Sequence, residues 1–244
     1  MKNQEEKVIN DLVYFKNLKI VQNKNYFNFS LDSVLLPNFV ELTPNTKNIL
    51  DLCTGNAPIP MILSTKTNAH IIGVELQKEI YDMAVESIKI NKLKNIELIN
   101  DDAKNIINKY ETDTFDLITC NPPYFKIKNT SIINENEVKS IARHEISINL
   151  EDIIKISKKL LKNGGSLCIV HKTDRLIEII DLMKKNNIEP KRIRFIYPKK
   201  DKDSNLVLVD GRKNGSTGLK LLSPLIVHNE DGSYTNEVLK MFGK

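Results

Sequence analysis

The five residues Asn121–Phe125 (NPPYF) have the types and spacing of a ligand site, because they directly follow the apolar run Phe115–Cys120, a predicted strand. Two prolines after a buried strand remove two N–H donors, so the carbonyl oxygens there remain available to a ligand. The amide oxygen of Asn121 and the carbonyl of Pro122 could both accept hydrogen bonds from a planar NH2 group, and the Tyr124 ring could stack on the aromatic body that bears it. A proline turn with a packed tyrosine is the alternative, but four such residues beside a second site-forming turn favour a functional site.

The second turn is residues 51–58 (DLCTGNAP), between a predicted strand and a predicted helix. A glycine turn at the carboxyl end of a strand lets the backbone approach a ligand, and open α/β sheets bind small molecules there. The G-x-G-x-x-G fingerprint is not met, because Cys53 and Ala57 stand where glycine is expected, and no P-loop lysine follows Gly55. A plain tight turn is the competing interpretation. Glu75 favours a cofactor site, because it ends the next predicted strand about 20 residues later, the usual place of a carboxylate that accepts from ribose hydroxyls.

Alternating strands and helices predict the scaffold that would hold both turns at one edge of a sheet. From residue 49 to residue 185, strand-like apolar runs alternate with segments whose apolar residues have helical spacing. Asn163-Gly164-Gly165 is a signal for the end of a helix. The last third has strand-like runs joined by loops that include Asp210-Gly211 and Asn214-Gly215, which indicates antiparallel strands. We therefore predict an α/β, Rossmann-like fold with a seven-stranded, mostly parallel sheet, an antiparallel C-terminal hairpin and helices on both faces.

The chain divides into an N-terminal extension, residues 1–48, and a domain over residues 49–244. We expect the extension to pack on the cofactor side of the domain. Residues 126–149 form a long polar connection, which is usually functional or mobile in a compact fold, and we expect a mobile loop.

Charge is concentrated near the C-terminus of the 244-residue chain, whose net charge is +5. Lys184–Lys213 holds ten positive and four negative residues. A basic segment on a nearly neutral body is typical of a protein that binds a polyanion, although a solvated face is the more common origin of such a run.

The composition also limits the class of protein. No apolar stretch approaches the roughly 18 residues of a membrane span, and residues 1–6 lack an apolar signal core, so we expect a cytoplasmic protein without membrane insertion. Cys53, Cys120 and Cys168 lie far apart, with no CxxC pair and no histidine at ligand spacing, which indicates three reduced thiols and no metal site.

These motifs, in this order, resemble those of class I S-adenosylmethionine-dependent methyltransferases that act on amino or amide nitrogen. Asn121–Tyr124 is similar to their motif IV, residues 51–57 to motif I, and Glu75 to the acid of motif II; the similarity extends over residues 49–227. It implies S-adenosylmethionine as cofactor. The residues that the resemblance implies for cofactor binding are Asp32, Asp51, Thr54, Gly55, Asn56, Glu75, Asp102, Ala103 and Asn121. For Asp32, a helix-capping role is the alternative.

Three further segments, Phe29–Leu36, Ala142–Glu145 and Asn205–Gly215, resemble the bacterial tRNA1(Val) adenine-37 N6-methyltransferases within that group. This resemblance implies methyl transfer to the exocyclic N6 of an adenine in tRNA, at adenine 37 in the anticodon stem-loop. The implied catalytic residues are Asn121, Pro122 and Tyr124. The residues expected to contact the substrate are Pro123, Phe125, Arg143, His144, Arg192, Arg194, Arg212 and Lys213. For Arg143 and His144, a loop that caps the next helix is the alternative.

The implied reaction is direct displacement, in which alignment of sulfonium and amine supplies most of the catalysis. Hydrogen bonds from the NH2 group to Asn121 and Pro122 would localise electron density on nitrogen, and no general base is required at the outset. Two other functions stay open: a protein glutamine N5-methyltransferase of the release-factor type, which shares the proline motif, and a non-catalytic RNA-binding subunit with the same fold. The short extension before motif I and the basic C-terminal region favour tRNA.

Overall fold

The computed structural model describes residues 7–13, 15, 18–23, 30–123 and 148–244, and the elements named here belong to those residues. The strands are β1 (Lys7–Asp11), β2 (Lys19–Asn23), β3 (Asn48–Leu52), β4 (His70–Glu75), β5 (Ile96–Asn100), β6 (Phe115–Cys120), β7 (Leu161–Lys172), β8 (Ile188–Tyr197), β9 (Leu206–Lys213), β10 (Lys220–Leu221) and β11 (Leu225–Ile226). The helices are α1 (Asp32–Phe39), α2 (Pro58–Ser64), α3 (Lys78–Ile90), α4 (Leu150–Leu160), α5 (Leu176–Lys185) and α6 (Asn236–Met241).

The central sheet has the order β10-β8-β9-β7-β6-β3-β4-β5, and β11 also pairs with β8. Strands β3 to β7 are parallel, whereas β9 is antiparallel to both β7 and β8. The chain leaves β3 toward β4 on one side and returns to β6 on the other. This reversal of strand order is the place where open α/β sheets bind ligands.

The prediction of seven strands is wrong, because the sheet has nine. The two additional strands are the two-residue β10 and β11, which pair in parallel with β8 at the edge. They come from the single strand-like run at residues 219–227, which is interrupted at Pro224, a residue without an N–H donor for a ladder.

The predicted antiparallel hairpin is confirmed for β8 and β9, but its turn is residues 198–205 rather than Asp210-Gly211. Gly211 lies inside β9, opposite Leu167 and Pro190. A Cβ at Gly211 would lie 2.8 Å from the Ile188 side chain, so close packing requires the glycine rather than a turn.

Helices cover both faces of the sheet, as predicted. One apolar layer joins α1, α2 and α6 through buried residues such as Leu35, Ile62 and Val238. The opposite layer joins α4 and α5 through residues such as Ile153 and Met183. Among the described residues, no helix combines the length and the apolarity needed to cross a membrane.

The N-terminal extension contributes α1 and a separate antiparallel hairpin, β1–β2. The backbone N–H of Val21 donates to Ser87 Oγ of α3 at 2.9 Å, and the Asn91 amide bonds both backbone groups of Lys19. The hairpin is thereby fixed against α3, the helix that follows the second strand of the parallel sheet.

Candidate active site at the carboxyl edge of the sheet

Three residues of the turn between β3 and α2 adopt left-handed backbone conformations: φ is +58° at Cys53, +60° at Gly55 and +66° at Ala57. A Cβ costs roughly 1–2 kcal/mol in this region, which explains why glycine is expected at such positions. Cys53 and Ala57 are small enough for the turn to keep its shape. A Cβ placed on Gly55 would meet no atom within 4 Å, so open space lies against the turn, as a ligand site requires.

Asp51, expected to bind cofactor, is fully buried and supports the turn, and its contact with cofactor stays a prediction. Its Oδ2 accepts from the Thr54 hydroxyl at 2.6 Å, and its Oδ1 accepts from the Thr119 hydroxyl of β6 at 2.5 Å. Burial raises the pKa of Asp51 to about 7, against the lowering effect of these two hydrogen bonds. Both oxygens are thus engaged within the protein, and Asp51 joins the turn to the strand that carries Asn121.

The side chains of Thr54 and Asn56 are also buried and point into the protein. The Thr54 N–H donates to the Val74 carbonyl at 2.9 Å. The Asn56 amide donates to the Val21 carbonyl of β2 at 3.1 Å, which ties the turn to the N-terminal hairpin. Their placement leaves the backbone of the turn, rather than these side chains, to face a ligand.

Glu75, at the end of β4, has the placement expected of a ribose acceptor. Its Oε2 accepts from the Gly55 N–H at 3.0 Å, and its Oε1 accepts from the Gln77 N–H at 2.8 Å. Burial raises the pKa of Glu75, while these backbone donors lower it. Leu76 is a third backbone donor to this carboxylate, so of its four lone pairs one remains for a ligand hydroxyl, and the ribose role of Glu75 stays a prediction.

A shallow cleft, open to solvent, joins the predicted motifs. Its lining residues are Cys53, Val74, Glu75, Leu76, Asp101, Asp102, Ala103, Pro123 and Ile148. Asp102 caps the short 3-10 helix that begins at Ala103, by accepting from the Lys104 N–H at 2.9 Å. A wider groove on the surface between α3 and β5 shares none of these residues. Because the smaller cleft holds acids from two strands and one motif IV proline, we assign the site to it.

Asn121 follows β6, whose last residue, Cys120, pairs with Leu52 at the end of β3. The Nδ2 of Asn121 donates to Ser33 Oγ of α1 at 3.2 Å. Asp32, expected to reach the cofactor, accepts through Oδ1 from the Ser33 N–H at 3.2 Å and from the Ser30 hydroxyl. The cap position of α1 is Leu31, and the cap has no side-chain hydrogen bond, so the cofactor role of Asp32 stays a prediction.

Sequence reasoning missed Ser33 and Thr119. Ser33 stands within the segment Phe29–Leu36, and Thr119 within the apolar strand before Asn121, so only the strand register and α1 packing reveal their partners. Cys120 is buried, and burial raises the pKa of its thiol well above the ordinary value, which favours packing over nucleophilic chemistry.

The predicted residues Tyr124, Phe125, Arg143 and His144, and residues 126–147 of the expected mobile loop, lie outside the described residues. Their roles therefore stay predictions.

The four predicted basic contacts do not gather at this cleft. Arg192 bonds Asp210 at 2.7 Å and Glu41 at 2.8 Å, and its side chain is only 13% exposed. Arg194 pairs with Glu237 and is 15% exposed. Arg212 donates to the Gly164 carbonyl at 3.1 Å, and Lys213 pairs with Asp113 at 2.7 Å.

Strand register explains why Arg212 and Lys213 lie far from the cleft. Arg212 is opposite Ser166 of β7, and Ser166 is opposite Leu117 in the first half of β6. Both basic residues therefore lie toward the amino edge of the sheet, whereas the cleft lies at the carboxyl edge. Clustering in the sequence could not show at which edge each basic residue lies. Because β8 and β9 are antiparallel, residues that are close in sequence lie at both edges of the sheet.

A family model described as a methyltransferase domain matches residues 44–210. A tRNA1(Val) (adenine(37)-N6)-methyltransferase from Cytophaga hutchinsonii is 26% identical over 237 residues, covering 96% of this chain and 98% of the relative. A relative of the same name from Haemophilus influenzae is 33% identical over 153 residues, or 62% of this chain and 64% of the relative. A crystal structure titled as a predicted O-methyltransferase from Agrobacterium tumefaciens has a TM-score of 0.70 and 20% identity, covering 87% of this chain and 95% of that one.

Proposed function

Because the chain belongs to the methyltransferase-domain family, we propose that it transfers a methyl group from S-adenosylmethionine to the exocyclic N6 of adenine 37 in tRNA. The observation that carries this proposal is the single cleft in which Glu75 and Asp102 meet Pro123, two residues after Asn121. Curated relatives named for this reaction extend over nearly the whole chain, which supports adenine in tRNA as the substrate.

The residues of the cleft fit the cofactor. When bound, S-adenosylmethionine would supply a methyl group on a sulfonium: the methyl carbon bonds to the nitrogen nucleophile as its bond to sulfur breaks, and S-adenosylhomocysteine leaves with that electron pair. Glu75 would accept from the ribose hydroxyls, and Asp102 would accept from the adenine amine. The open space against Gly55 allows the backbone of the turn to approach the ligand closely.

Asn121 and Pro122 activate the target amine. An adenine N6 is a poor nucleophile because its lone pair is delocalised into the ring. Hydrogen bonds from its two protons to the Asn121 amide oxygen and the Pro122 carbonyl localise that electron pair on nitrogen as it becomes tetrahedral. The surplus proton becomes acidic only after the methyl group is attached, and it leaves to solvent without a dedicated base. Tyr124 would stack on the base, a contact worth roughly 1–3 kcal/mol.

The substrate base must leave its stack to reach these acceptors, which costs a few kcal/mol. Phosphate contacts can offset that cost. Among the described basic residues, Lys199, Lys200 and Lys202 lie in the turn 198–205, and Lys172 ends β7. Leu206, just after this turn, pairs with Lys172, so the turn belongs to the carboxyl edge, where the cleft lies. We assign the phosphate contacts to this turn in place of Arg212 and Lys213.

A transfer assay tests the proposal. Protein is incubated with methyl-labelled S-adenosylmethionine and, separately, with unmodified tRNA or with a release factor. We expect label in tRNA only, and we expect Asn121→Ala to abolish the transfer while cofactor affinity stays within about twofold. Label in the release factor alone would contradict the proposal, and loss of cofactor binding in Asn121→Ala would show that Asn121 acts in cofactor binding, the other role that the resemblance implies, rather than on the target amine.

A further inference from the structure

Both motifs of the cleft are tied to the N-terminal extension by an asparagine side chain. The amide of Asn56, in the turn after β3, donates to the Val21 carbonyl of β2 at 3.1 Å. The amide of Asn121, after β6, donates to Ser33 Oγ of α1 at 3.2 Å. The extension therefore contacts the machinery itself and not only the outside of the domain.

From these contacts we infer that Ser33 is a positioning residue, which holds the Asn121 carboxamide with its acceptor oxygen toward the substrate amine. This inference rests on the proposed function. A carboxamide has a donor end and an acceptor end, and only the acceptor end can take a proton from an NH2 group. Because the Ser33 oxygen accepts from Nδ2, the Oδ1 atom is the end turned away from Ser33.

Ser33 is itself held rigidly. It is 6% exposed, and its backbone N–H donates to the Ser30 carbonyl at 3.1 Å and to Asp32 Oδ1 at 3.2 Å. Helix α1, which carries it, is fixed at its other end by Asn38, whose amide donates to the Met241 carbonyl of α6 at 3.0 Å. A functional group on a packed helix is held more accurately than one on a loop.

Loss of the Ser33 hydroxyl would remove the acceptor that selects the Nδ2 end of the Asn121 carboxamide on that side, so the flipped carboxamide, with its NH2 against the NH2 of the target base, becomes more populated. Two facing donors repel and leave the lone pair of the base delocalised. The expected defect is therefore in the chemical step rather than in binding, because Ser33 does not line the cleft and acts in this proposal through Asn121.

The test compares Ser33→Ala and Ser33→Thr with Ser157→Ala. Ser157 is a matched control, since its hydroxyl is also buried in a helix but donates to the Ile153 carbonyl of α4, away from the cleft. We expect Ser33→Ala to lower kcat for tRNA by about 10- to 100-fold, with KM and cofactor Kd within about twofold, because misplacement alone can cost that much. Ser33→Thr, which keeps a hydroxyl, should recover most of kcat, and Ser157→Ala should keep the wild-type value.

Two failures are distinguishable. If wild-type protein methylates tRNA and Ser33→Ala matches Ser157→Ala in kcat, or loses cofactor affinity instead, the role of Ser33 is wrong and the proposed function stands. If wild-type protein methylates no tRNA, the proposed function fails, and the role of Ser33 fails with it.

Discussion

At the scale of the residue, Asp51 shows how a site can depend on a side chain that no ligand touches. Its carboxyl group joins Thr54 of the turn to Thr119 of β6, so one buried group sets the position of one motif against the strand that leads to the other. The position of the acid within the apolar run of residues 49–53 was evident from the sequence. Its burial and its partner on β6 depend on the pairing of strands that are distant in sequence.

The raised pKa of Asp51 predicts a pH dependence of stability. Burial raises this pKa from 3.8 to about 7, so the folded protein keeps the proton to higher pH than the unfolded chain. The contribution is therefore fully present at low pH and is lost as pH rises from about 4 through 7, with a slope of up to about 1.4 kcal/mol per pH unit. Because burial also raises the pKa of Glu75 and Asp210, the Asp51 contribution is the difference between two profiles: urea unfolding at several pH values should show a steeper fall in the wild-type protein than in Asp51→Asn.

Asp116 provides the control for that measurement. Burial raises the pKa of Asp116, but hydrogen bonds from Lys162 and from two backbone N–H groups bring it below the ordinary value. Asp116 is therefore ionised in both states above pH 5, and Asp116→Asn should leave the slope between pH 5 and pH 7 unchanged. Identical profiles for the wild type and Asp51→Asn would show that Asp51 ionises normally.

At the scale of the element, the turn that follows β3 and the end of β6 were predictable, whereas the role of the C-terminal strands was not. An apolar run that is followed by Gly55 or by Asn121 indicates the end of a strand from the local sequence alone. Asp210-Gly211 carries a turn signal as well, yet Gly211 serves the packing of Ile188 against β9. A local pattern cannot distinguish these two uses of glycine, since they differ only in a neighbour from another element.

Arg192 shows the same limit for charge. Because it pairs with Asp210, we predict that replacing Arg192 lowers the stability of the protein rather than its affinity for RNA. Asp210 is 1% exposed, and the Arg192 guanidinium bonds it at 2.7 Å while lying over the Phe39 ring at 4.6 Å. Arg192→Met keeps much of the packing but leaves the carboxylate without its cation. We expect it to lower the free energy of unfolding by about 3–5 kcal/mol.

Two measurements separate the two roles of Arg192. Adding Asp210→Asn to Arg192→Met should restore much of the stability, because the uncompensated charge is removed. The affinity of the folded variant for tRNA should equal that of the wild type. Weakened tRNA binding with unchanged stability would instead show that Arg192 contacts the substrate.

At the scale of the whole molecule, the basic residues of the C-terminal third divide between the two edges of the sheet. The turn 198–205 lies at the carboxyl edge with the cleft, whereas Lys213 contacts Asp113 and the Leu161 carbonyl at the amino edge. Net charge and clustering indicated a polyanion partner, but the sequence alone could not tell which part of the cluster would face it.

This division predicts which lysines affect tRNA binding. Charge reversal of the pair Lys199 and Lys200 should weaken tRNA binding. It should also reduce the magnitude of the slope of log K against log salt by about 1 for each phosphate that is no longer neutralised by a lysine. The matched control is the exposed pair Lys158 and Lys159 in the last turn of α4. This helix ends just before β7 begins, at the opposite edge of the sheet. Its reversal should change neither quantity by a comparable amount. Equal effects of the two pairs would mean that tRNA does not approach along the cleft edge.

The most direct test of the central claim is to identify the methylated nucleoside and its position by mass spectrometry. Unmodified tRNA is incubated with the protein and S-adenosylmethionine, then digested to nucleosides and, in parallel, to oligonucleotides. We predict N6-methyladenosine at position 37 and no product from a transcript with guanine at that position. A methyl group on another base or on a ring nitrogen, or no methylated nucleoside at all, would contradict the assignment of Asn121 and Pro122 as acceptors for an adenine amine.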